Sequence, residues 1–369
     1  ADKGWELVWS DEFDGLGLDD SKWGYEQDCW GEGNNEKQCY TNSEKNVFVS
    51  DGLLHVVLEE ESTGLDGSED WDNADELGTK TQPYTSGRIR TKGKGDWRYG
   101  RFEARAKLPY GQGMWPAFWM LPTEQVYGGW AASGEIDTME AVNLKTILSP
   151  DNTSVHGTLH YGAAWPNTAH SGTYHMYFGE DHPADVFHVY ALEWEEGEIR
   201  WYADDVHYAT QRAEGWYTQF EGEDGSLVTG EGAAPFDQLF HIILNVAVGG
   251  NWPGDPDEDT VFPEEMQVDY VRVYQCSASP EDGKGCATVA ETASLVAGHE
   301  PPEKLFEGAL TGEFDPATLG DTMVVFDDDR VFPWDFGWWF GSGTVDPVLI
   351  ETGEADHDLF IQITLNTDE

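Results

Sequence analysis

The chain has 369 residues and carries 71 acidic against 20 basic side chains, a formal net charge of −51 at pH 7. This charge argues against a nucleic-acid partner, an anionic membrane surface or an anionic polysaccharide, since binding to each depends on basic contacts. The acidity predicts a halophilic protein whose self-repulsion is screened by counterions, and the alternative is an ordinary acidic secreted protein. The 17 tryptophans are typical of sugar-binding clefts as well as of cores.

The four cysteines form two local pairs. Cys29 and Cys39 flank one short loop, and Cys276 and Cys286 flank another. This even spacing predicts two disulfides formed in an oxidising compartment, with four free thiols as the alternative. No apolar run reaches transmembrane length. The opening "ADKGW" does not read as a signal peptide and is compatible with the start of a mature secreted chain.

Strand patterns recur in chain order between residues 5 and 275, separated by Gly, Asn and Asp turns. They include "LLHVVLE", "RFEARAKL", "VFHVYALEW", "EIRWYAD", "FHIILNVAV" and "MQVDYVRVY". In the second of these, Phe102, Ala104, Ala106 and Leu108 share one face. Many short antiparallel strands predict an all-β sandwich or barrel.

The composition changes after Cys276. Residues 278–310 are predicted to be a linker or packed connector, and 311–369 a small β-like segment of unknown role, with "TMVVFDDD" and "LFIQITLN" as its strand patterns. Within this segment "WDFGWWFGSG" is either a sugar-stacking platform or part of a core or interdomain seam. Residues 1–277 are predicted to form the main domain.

The stretch "GEIDTMEAV" reads as a strand in which Glu135 and Asp137 share one face, whereas Glu140 falls on the other. A β-bulge near Thr138 and Met139 would return Glu140 to the face of the other two acids. Such a row of carboxylates suits glycoside hydrolysis, in which one acid attacks the sugar and another, held protonated, assists the leaving oxygen. The spacing is compatible with a retaining mechanism without deciding it.

Two other interpretations remain open for the acidic row: a solvated acidic strand, or a Ca²⁺ site. The surroundings favour catalysis. Trp115 and Trp119 precede the motif in "GQGMWPAFWMLP", Trp130 lies five residues before Glu135, and His160 follows in "GTLHYG" as a hydrogen-bond partner for the acids.

In this context the chain resembles glycoside hydrolase family 16, and in particular the bacterial laminarinase type. The matching pieces, which occur in family order over about residues 5–275, are "LVWSDEFDG", "NVFVSDGLLHV", "SGRIRTKG", "YGRFEARAKLPYGQGMWPAFWMLP", "GEIDTMEAV", "GTLHYG", "FHVYALEW" and "NVAVGGNWPG…VDYVRVYQ". The resemblance implies a β-jelly-roll sandwich of two antiparallel sheets with a concave substrate cleft. It does not extend to residues 287–369.

The resemblance also implies roles for individual residues. Glu135 would be the nucleophile, Glu140 the general acid/base, and Asp137 a tuning residue between them. The implied substrate-binding residues are Asn46, Arg90, Trp115, Trp119, Trp130 and His160. A structural Ca²⁺ would be held by Glu12, the backbone of Gly52, and Asp269. No organic cofactor is implied.

Two departures from the family pattern are Thr138, where an aliphatic residue is usual, and the cysteines of "DCWGEGNNEKQCY". The function expected from the sequence is that of a secreted, monomeric, retaining endo-β-1,3-glucanase acting on laminarin-like glucan. The alternatives are mixed-linked glucan, agar or carrageenan as substrate, transfer in place of hydrolysis, a non-catalytic β-glucan-binding protein, and a tail that binds its own ligand.

Overall fold

The computed structural model describes residues 4–66, 79–177, 181–222, 225–302, 345–350 and 360–365. It divides into two compact units, Ala1–Leu305 and Phe306–Glu369. A three-residue 3₁₀ turn, Ala213–Gly215, is the only helical element in these ranges, so the all-β prediction is confirmed. Within the same ranges, no helix is long and apolar enough to cross a membrane.

The described part of the first unit contains twenty-three strands. In chain order they are β1 (Trp5–Asp11), β2 (Gly24–Tyr25), β3 (Gln38–Tyr40), β4 (Val47–Ser50), β5 (Leu53–Leu58), β6 (Thr63–Asp66), β7 (Thr79–Gln82), β8 (Tyr84–Ser86), β9 (Arg88–Arg90), β10 (Asp96–Trp97), β11 (Gly100–Lys107), β12 (Met114–Pro122), β13 (Glu135–Glu140), β14 (Ser154–Gly162), β15 (Thr168–Met176), β16 (His188–Glu195), β17 (Glu198–Ala203), β18 (Val206–Arg212), β19 (Gln219–Glu221), β20 (Leu227–Thr229), β21 (Phe240–Val248), β22 (Glu264–Cys276) and β23 (Ser294–Val296).

Most of these strands form two large sheets that pack face to face. Sheet A has the order β23-β18-β17-β16-β11-β22-β5-β4, with β1 also pairing with β22. Sheet B has the order β15-β14-β13-β12-β21-β9-β2, with β10 also pairing with β21. Within these two sheets the strands pair in antiparallel fashion, except that β23 is parallel to β18. Three two-stranded pairs, β3–β8, β6–β7 and β19–β20, complete the unit.

The core lies between the two sheets and takes alternate side chains from each. In β11, Phe102, Ala104 and Ala106 are fully buried, as their alternation predicts. All nine residues of β21 are buried. One face of this strand lies in the core, and its other face, which belongs to the outer face of sheet B, is covered by neighbouring side chains. We call this outer face of sheet B, which points away from the core, the site face.

Residues 286–299, within the first unit, pack against both sheets. The backbone N–H of Thr288 donates to Glu193 in sheet A, and β23 then extends the edge of that sheet. Further on, a ring nitrogen of His299 lies 3.1 Å from the backbone oxygen of His170 in β15. Residues 286–299 therefore run from sheet A to the edge strand of sheet B. The domain boundary at residue 277 stays a prediction.

Both predicted disulfides, Cys29–Cys39 and Cys276–Cys286, are present. In the second unit, β24 (Val345–Ile350) and β25 (Phe360–Leu365) form an antiparallel hairpin. The strand pattern "TMVVFDDD" and the aromatic stretch "WDFGWWFGSG" lie outside the described residues.

Candidate active site

A β-bulge in β13 brings the three acids to one face. Phe118 pairs with Met139, but the next residue of β12, Trp119, pairs with Asp137, so Thr138 is the extra residue. Ile136 and Met139 lie in the core and are at most 1% exposed. The bulge prediction is therefore confirmed, and the acids occupy the site face.

Backbone pairing arranges the site face in rows across the strands. The three rows are Ala117–Glu140–His156–Tyr174, Trp119–Asp137–Thr158–Gly172, and Glu135–His160–His170. Each acid therefore has a defined neighbour on β14: His160 lies beside Glu135, Thr158 beside Asp137 and His156 beside Glu140.

Two tryptophans hold the outer acids. Trp130 Nε1 donates to Glu135 Oε2 at 2.8 Å, and Trp115 Nε1 donates to Glu140 Oε1, also at 2.8 Å. The third acid, Asp137, is 2% exposed, and its Oδ2 accepts no hydrogen bond from the residues that the structure describes. His160 Nε2 lies 3.3 Å from that oxygen and 3.6 Å from Glu135 Oε1.

Burial and mutual repulsion set the charge states of this cluster. Burial, followed by the negative charge of Asp137, raises the pKa of Glu135 to about 7 and the pKa of Glu140 well above its ordinary value. Burial opposes protonation of His160, but the charges of Glu135 and Asp137 raise its pKa to about 9. The protonated carboxylic acid that the chemistry needs is therefore most favoured at Glu140.

The bulge is supported from the core side by Trp201 of β17. Its indole Nε1 donates to the backbone oxygen of Asp137 at 2.9 Å. The ring packs so closely on β14 that a Cβ at Gly157 would lie 2.3 Å from it. Sequence reasoning missed both residues, although a glycine inside a strand pattern is a signal for such a close approach.

The predicted tryptophans all lie at the site face. Trp119 Nε1 donates to Asn245 Oδ1 at 2.6 Å, and the guanidinium of Arg88 lies 4.8 Å from the Trp119 ring centre. Trp115 and Trp130 bind the two glutamates, as described. Each of these indoles is therefore fixed by its N–H group while its ring remains partly exposed.

Beyond Glu140 lies an aromatic cluster of which sequence reasoning missed two members, Trp252 and Tyr174. Trp252, which is 44% exposed, makes edge-to-face contacts with Trp115 and with His156, each at 5.2 Å between ring centres. The His156 ring lies 6.1 Å from Tyr174, which is 59% exposed. The only sequence signal for Trp252 was its place in "GGNWPG".

On the other side of the acids, Arg90 and Asn46 have different environments. Arg90 pairs across the sheet with Ile243, and its Nη1 donates to Glu26 Oε1 at 2.7 Å. Asn46 is 1% exposed, and its amide donates to the Val57 backbone oxygen and to Thr85. These partners hold the Asn46 amide in place, and its contact with sugar stays a prediction.

The three predicted Ca²⁺ ligands lie in or next to strands that adjoin the same stretch of β22. The end of β1 and the start of β5 pair with neighbouring parts of β22, and Asp269 lies between those parts. Both carboxylates already have partners: Glu12 accepts two hydrogen bonds from Arg272, and Asp269 Oδ2 accepts one from Arg105 at 2.6 Å. A cation held by these carboxylates would compete with the two arginines, and the Ca²⁺ site stays a prediction.

The site as a whole can perform acid/base and nucleophilic chemistry on a polar substrate. It presents the carboxyl groups of Glu135 and Glu140, whose pKa values are raised, and the His160 imidazole, whose pKa is also raised, beside partly exposed indoles. Aromatic rings with a few oriented polar groups are typical of sites that bind sugars.

Comparison with known proteins agrees with this chemistry. A family model described as "Beta-porphyranase A-D, GH16 domain" matches residues 5–276. A glucan endo-1,3-beta-glucosidase A1 from Niallia circulans is 42% identical over 74% of this chain, which spans only 38% of that relative's length. A beta-glucanase from Rhodothermus marinus is 41% identical over 73% of this chain and 85% of its own length.

Among solved structures, the catalytic domain of an endo-1,3-beta-glucanase (laminarinase) from Thermotoga petrophila is similar to 74% of this chain. The match covers 99% of that domain with a TM-score of 0.60 and 36% sequence identity. The region of similarity therefore corresponds to the two-sheet unit that carries the site.

Proposed function

This chain belongs to glycoside hydrolase family 16, and on that premise we propose that it is a secreted, retaining endo-β-1,3-glucanase that hydrolyses laminarin-like β-glucan. The observation that carries the proposal is the bulged row of Glu135, Asp137 and Glu140, whose outer members each bind a tryptophan indole. The names of the relatives support the choice of substrate. The two disulfides support an oxidising, extracellular compartment.

The proposed reaction is a double displacement. Glu135 attacks the anomeric carbon while Glu140 donates its proton to the leaving glycosidic oxygen, forming a glycosyl-enzyme. Glu140, now a carboxylate, takes a proton from water, and that water displaces Glu135 from the sugar. The hydrogen bond from Trp130 orients Glu135, and the charge of His160 limits the repulsion between Glu135 and Asp137.

Reducing-end release from a panel of polysaccharides tests the proposal. The panel contains laminarin, mixed-linked β-glucan, agarose, carrageenan and porphyran, with Glu135→Gln as the inactive control. We expect release from laminarin by the wild type and little from the sulfated galactans, which a net charge of −51 repels. Binding to laminarin without release from any substrate would instead support a glucan-binding protein.

The Asp137→Asn substitution is expected to move the pH profile of kcat/KM to lower pH. Because the charge of Asp137 raises the pKa of both glutamates, its removal lowers both. On the acidic side of the profile, activity rises as Glu135 loses its proton, with a pKa of about 7 in the wild type. On the alkaline side, activity falls as Glu140 loses its proton. Thr158→Val, on the neighbouring strand, is the control. A lower rate with both sides of the profile unmoved would contradict this account of Asp137.

Calcium is expected to stabilise the protein at Glu12, Gly52 and Asp269. Thermal unfolding after EDTA treatment, with and without added Ca²⁺, measures the effect, and Asp269→Asn is expected to abolish it. The same melting temperature in EDTA and in Ca²⁺ would mean that Arg272 and Arg105 are the true partners of these carboxylates.

Salt is expected to stabilise the protein, as a halophilic origin predicts. Raising the NaCl concentration shortens the screening length and weakens repulsion among the 71 acidic side chains. Melting temperature and activity should both rise from low to molar NaCl, and KCl at equal ionic strength should act alike. A melting temperature that is constant or falls over this range would refute the halophilic interpretation.

A further inference from the structure

We propose that Glu135, Asp137 and His160 form a binding site for a divalent transition-metal ion such as Zn²⁺, which occupies the nucleophile and reversibly blocks the enzyme. One nitrogen and two carboxylate oxygens from these residues all lie within 4.8 Å of one another. This inference concerns the site of the proposed function, but the metal is a ligand that competes with catalysis and takes no part in it.

The distances match the geometry that Zn²⁺ requires. Zinc binds imidazole nitrogen and carboxylate oxygen at about 2.0–2.2 Å, so neighbouring ligands of a tetrahedral site lie roughly 3.3–3.6 Å apart. His160 Nε2 lies 3.3 Å from Asp137 Oδ2 and 3.6 Å from Glu135 Oε1. Two edges of the tetrahedron are therefore already set, without rearrangement of the side chains.

A second observation is the buried acceptor at Asp137, whose contact with His160 is at ion-pair distance and is not a hydrogen bond. Its Oδ2 is buried, accepts no hydrogen bond from the described residues, and belongs to a side chain that is 3% exposed. A buried acceptor without a hydrogen bond is costly, and a metal ion would satisfy it. Trp130 meanwhile binds the other oxygen of Glu135, Oε2, which leaves Oε1 for the ion. An N–H group on the non-binding oxygen is the support that ligating carboxylates usually have.

The ligand set also selects the class of metal. An imidazole nitrogen with two carboxylates suits Zn²⁺ and similar transition metals, whereas Ca²⁺ takes six to eight oxygens. Three protein ligands leave a fourth position for water. Zn²⁺ binds the neutral imidazole, so His160 releases its proton to solvent as the ion binds. The bound ion would hold the oxygen that attacks the sugar, so we expect inhibition that glucan relieves by competition.

Direct binding measurements test the proposal without relying on activity. The EDTA-treated full chain is titrated with Zn²⁺ by calorimetry, and Co²⁺ is added separately to record the visible absorption of tetrahedral cobalt. We expect one site per chain and an intense cobalt spectrum. His160→Gln and Asp137→Asn should each weaken Zn²⁺ binding at least about tenfold, as expected for loss of a metal-binding contact.

His156→Gln is the matched control, because His156 lies on the same strand and face but has no carboxylate within ion-pair distance among the described residues. It should bind Zn²⁺ like the wild type. Glu135→Gln serves as a third test variant if one of the others fails to fold, as judged by circular dichroism. Equal Zn²⁺ binding in all variants would assign the metal to scattered surface carboxylates and overturn the proposal.

The outcomes separate this inference from the proposed function. Hydrolysis of laminarin without a specific Zn²⁺ site would remove the inference and keep the enzyme. A specific Zn²⁺ site in a protein that hydrolyses no member of the panel would keep the metal site and remove the proposed function.

Discussion

Replacing Glu135 with glutamine is expected to reduce kcat on laminarin by at least about 10⁴-fold, because the amide cannot form the glycosyl-enzyme. Glu140→Gln is expected to cost about 10²–10⁴-fold, the usual value of general acid/base catalysis. The size of the loss does not by itself assign the two roles, so a second measurement is needed.

Azide distinguishes the two glutamates through the product it forms. In Glu135→Ala, azide occupies the space of the nucleophile and attacks the activated β-glycoside directly, giving an α-glycosyl azide. In Glu140→Ala, an aryl β-glycoside still forms the glycosyl-enzyme, which azide then opens to a β-glycosyl azide. Thr138→Ser, at the bulge but without a carboxylate, is the control and should retain most activity. The β-glycosyl azide from Glu135→Ala and the α-glycosyl azide from Glu140→Ala would instead make Glu140 the nucleophile and Glu135 the acid/base.

Replacing Arg88 with methionine is expected to destabilise the fold by about 3–5 kcal/mol, the usual cost of removing one partner from a buried ion pair. Arg88 is 1% exposed on β9 and forms ion pairs with Glu26 and Glu32. Asp28 and Glu36 lie in the same cluster, and their charges act on one another. Among the largest effects on the carboxyl groups of Asp28 and Glu32, the positive charge comes from Arg88.

The destabilisation should depend on pH in a defined direction. Burial raises the pKa of Asp28 to about 6 and also raises the pKa of Glu32 and Glu36, whereas the charge of Arg88 lowers all three. A raised pKa contributes stability below the unfolded value, near 4, which is lost as pH rises through the folded value. Without Arg88 these pKa values rise further, so the deficit should be smallest near pH 4 and largest above pH 7.

Urea unfolding of wild type and Arg88→Met across this pH range measures the effect. Arg212→Met is the control, because Arg212 is a largely exposed partner of Glu198 and should change the free energy of unfolding by about 0.5 kcal/mol or less. The Arg88 guanidinium also lies against the Trp119 ring, so KM for glucan should rise more than kcat falls. A deficit that does not change between pH 4 and pH 8 would contradict the charge argument.

The arrangement of the three acids was predictable from the sequence because all of them lie in one short strand, Glu135–Glu140. Ile136 and Met139 are apolar and lie three residues apart, so they can share the core face only if the strand contains one extra residue. The same extra residue brings all three acids to the opposite face. The strand patterns of β11 and β21 predicted their core faces for the same reason, since period-two alternation is a local property.

The parts that the sequence did not predict depend on contacts between distant segments. Arg88 reads as an ordinary strand residue beside Arg90, and its burial comes from the loop around Glu32, closed by the first disulfide. Trp252 reaches the cleft from the loop after β21. Asn46 was assigned by resemblance, and its hydrogen bonds to the Val57 backbone and to Thr85 could not be predicted from the sequence.

The stereochemistry of the first product tests the central claim most directly, because double displacement through Glu135 fixes the configuration of the new reducing end. Proton NMR of a short β-1,3-glucan oligosaccharide, recorded during the first minutes of hydrolysis before mutarotation, follows the anomeric signals. The account predicts that the β-anomer appears first and the α-anomer only as equilibrium is approached. Initial formation of the α-anomer would show a single displacement by water and contradict the assignment of Glu135 as nucleophile.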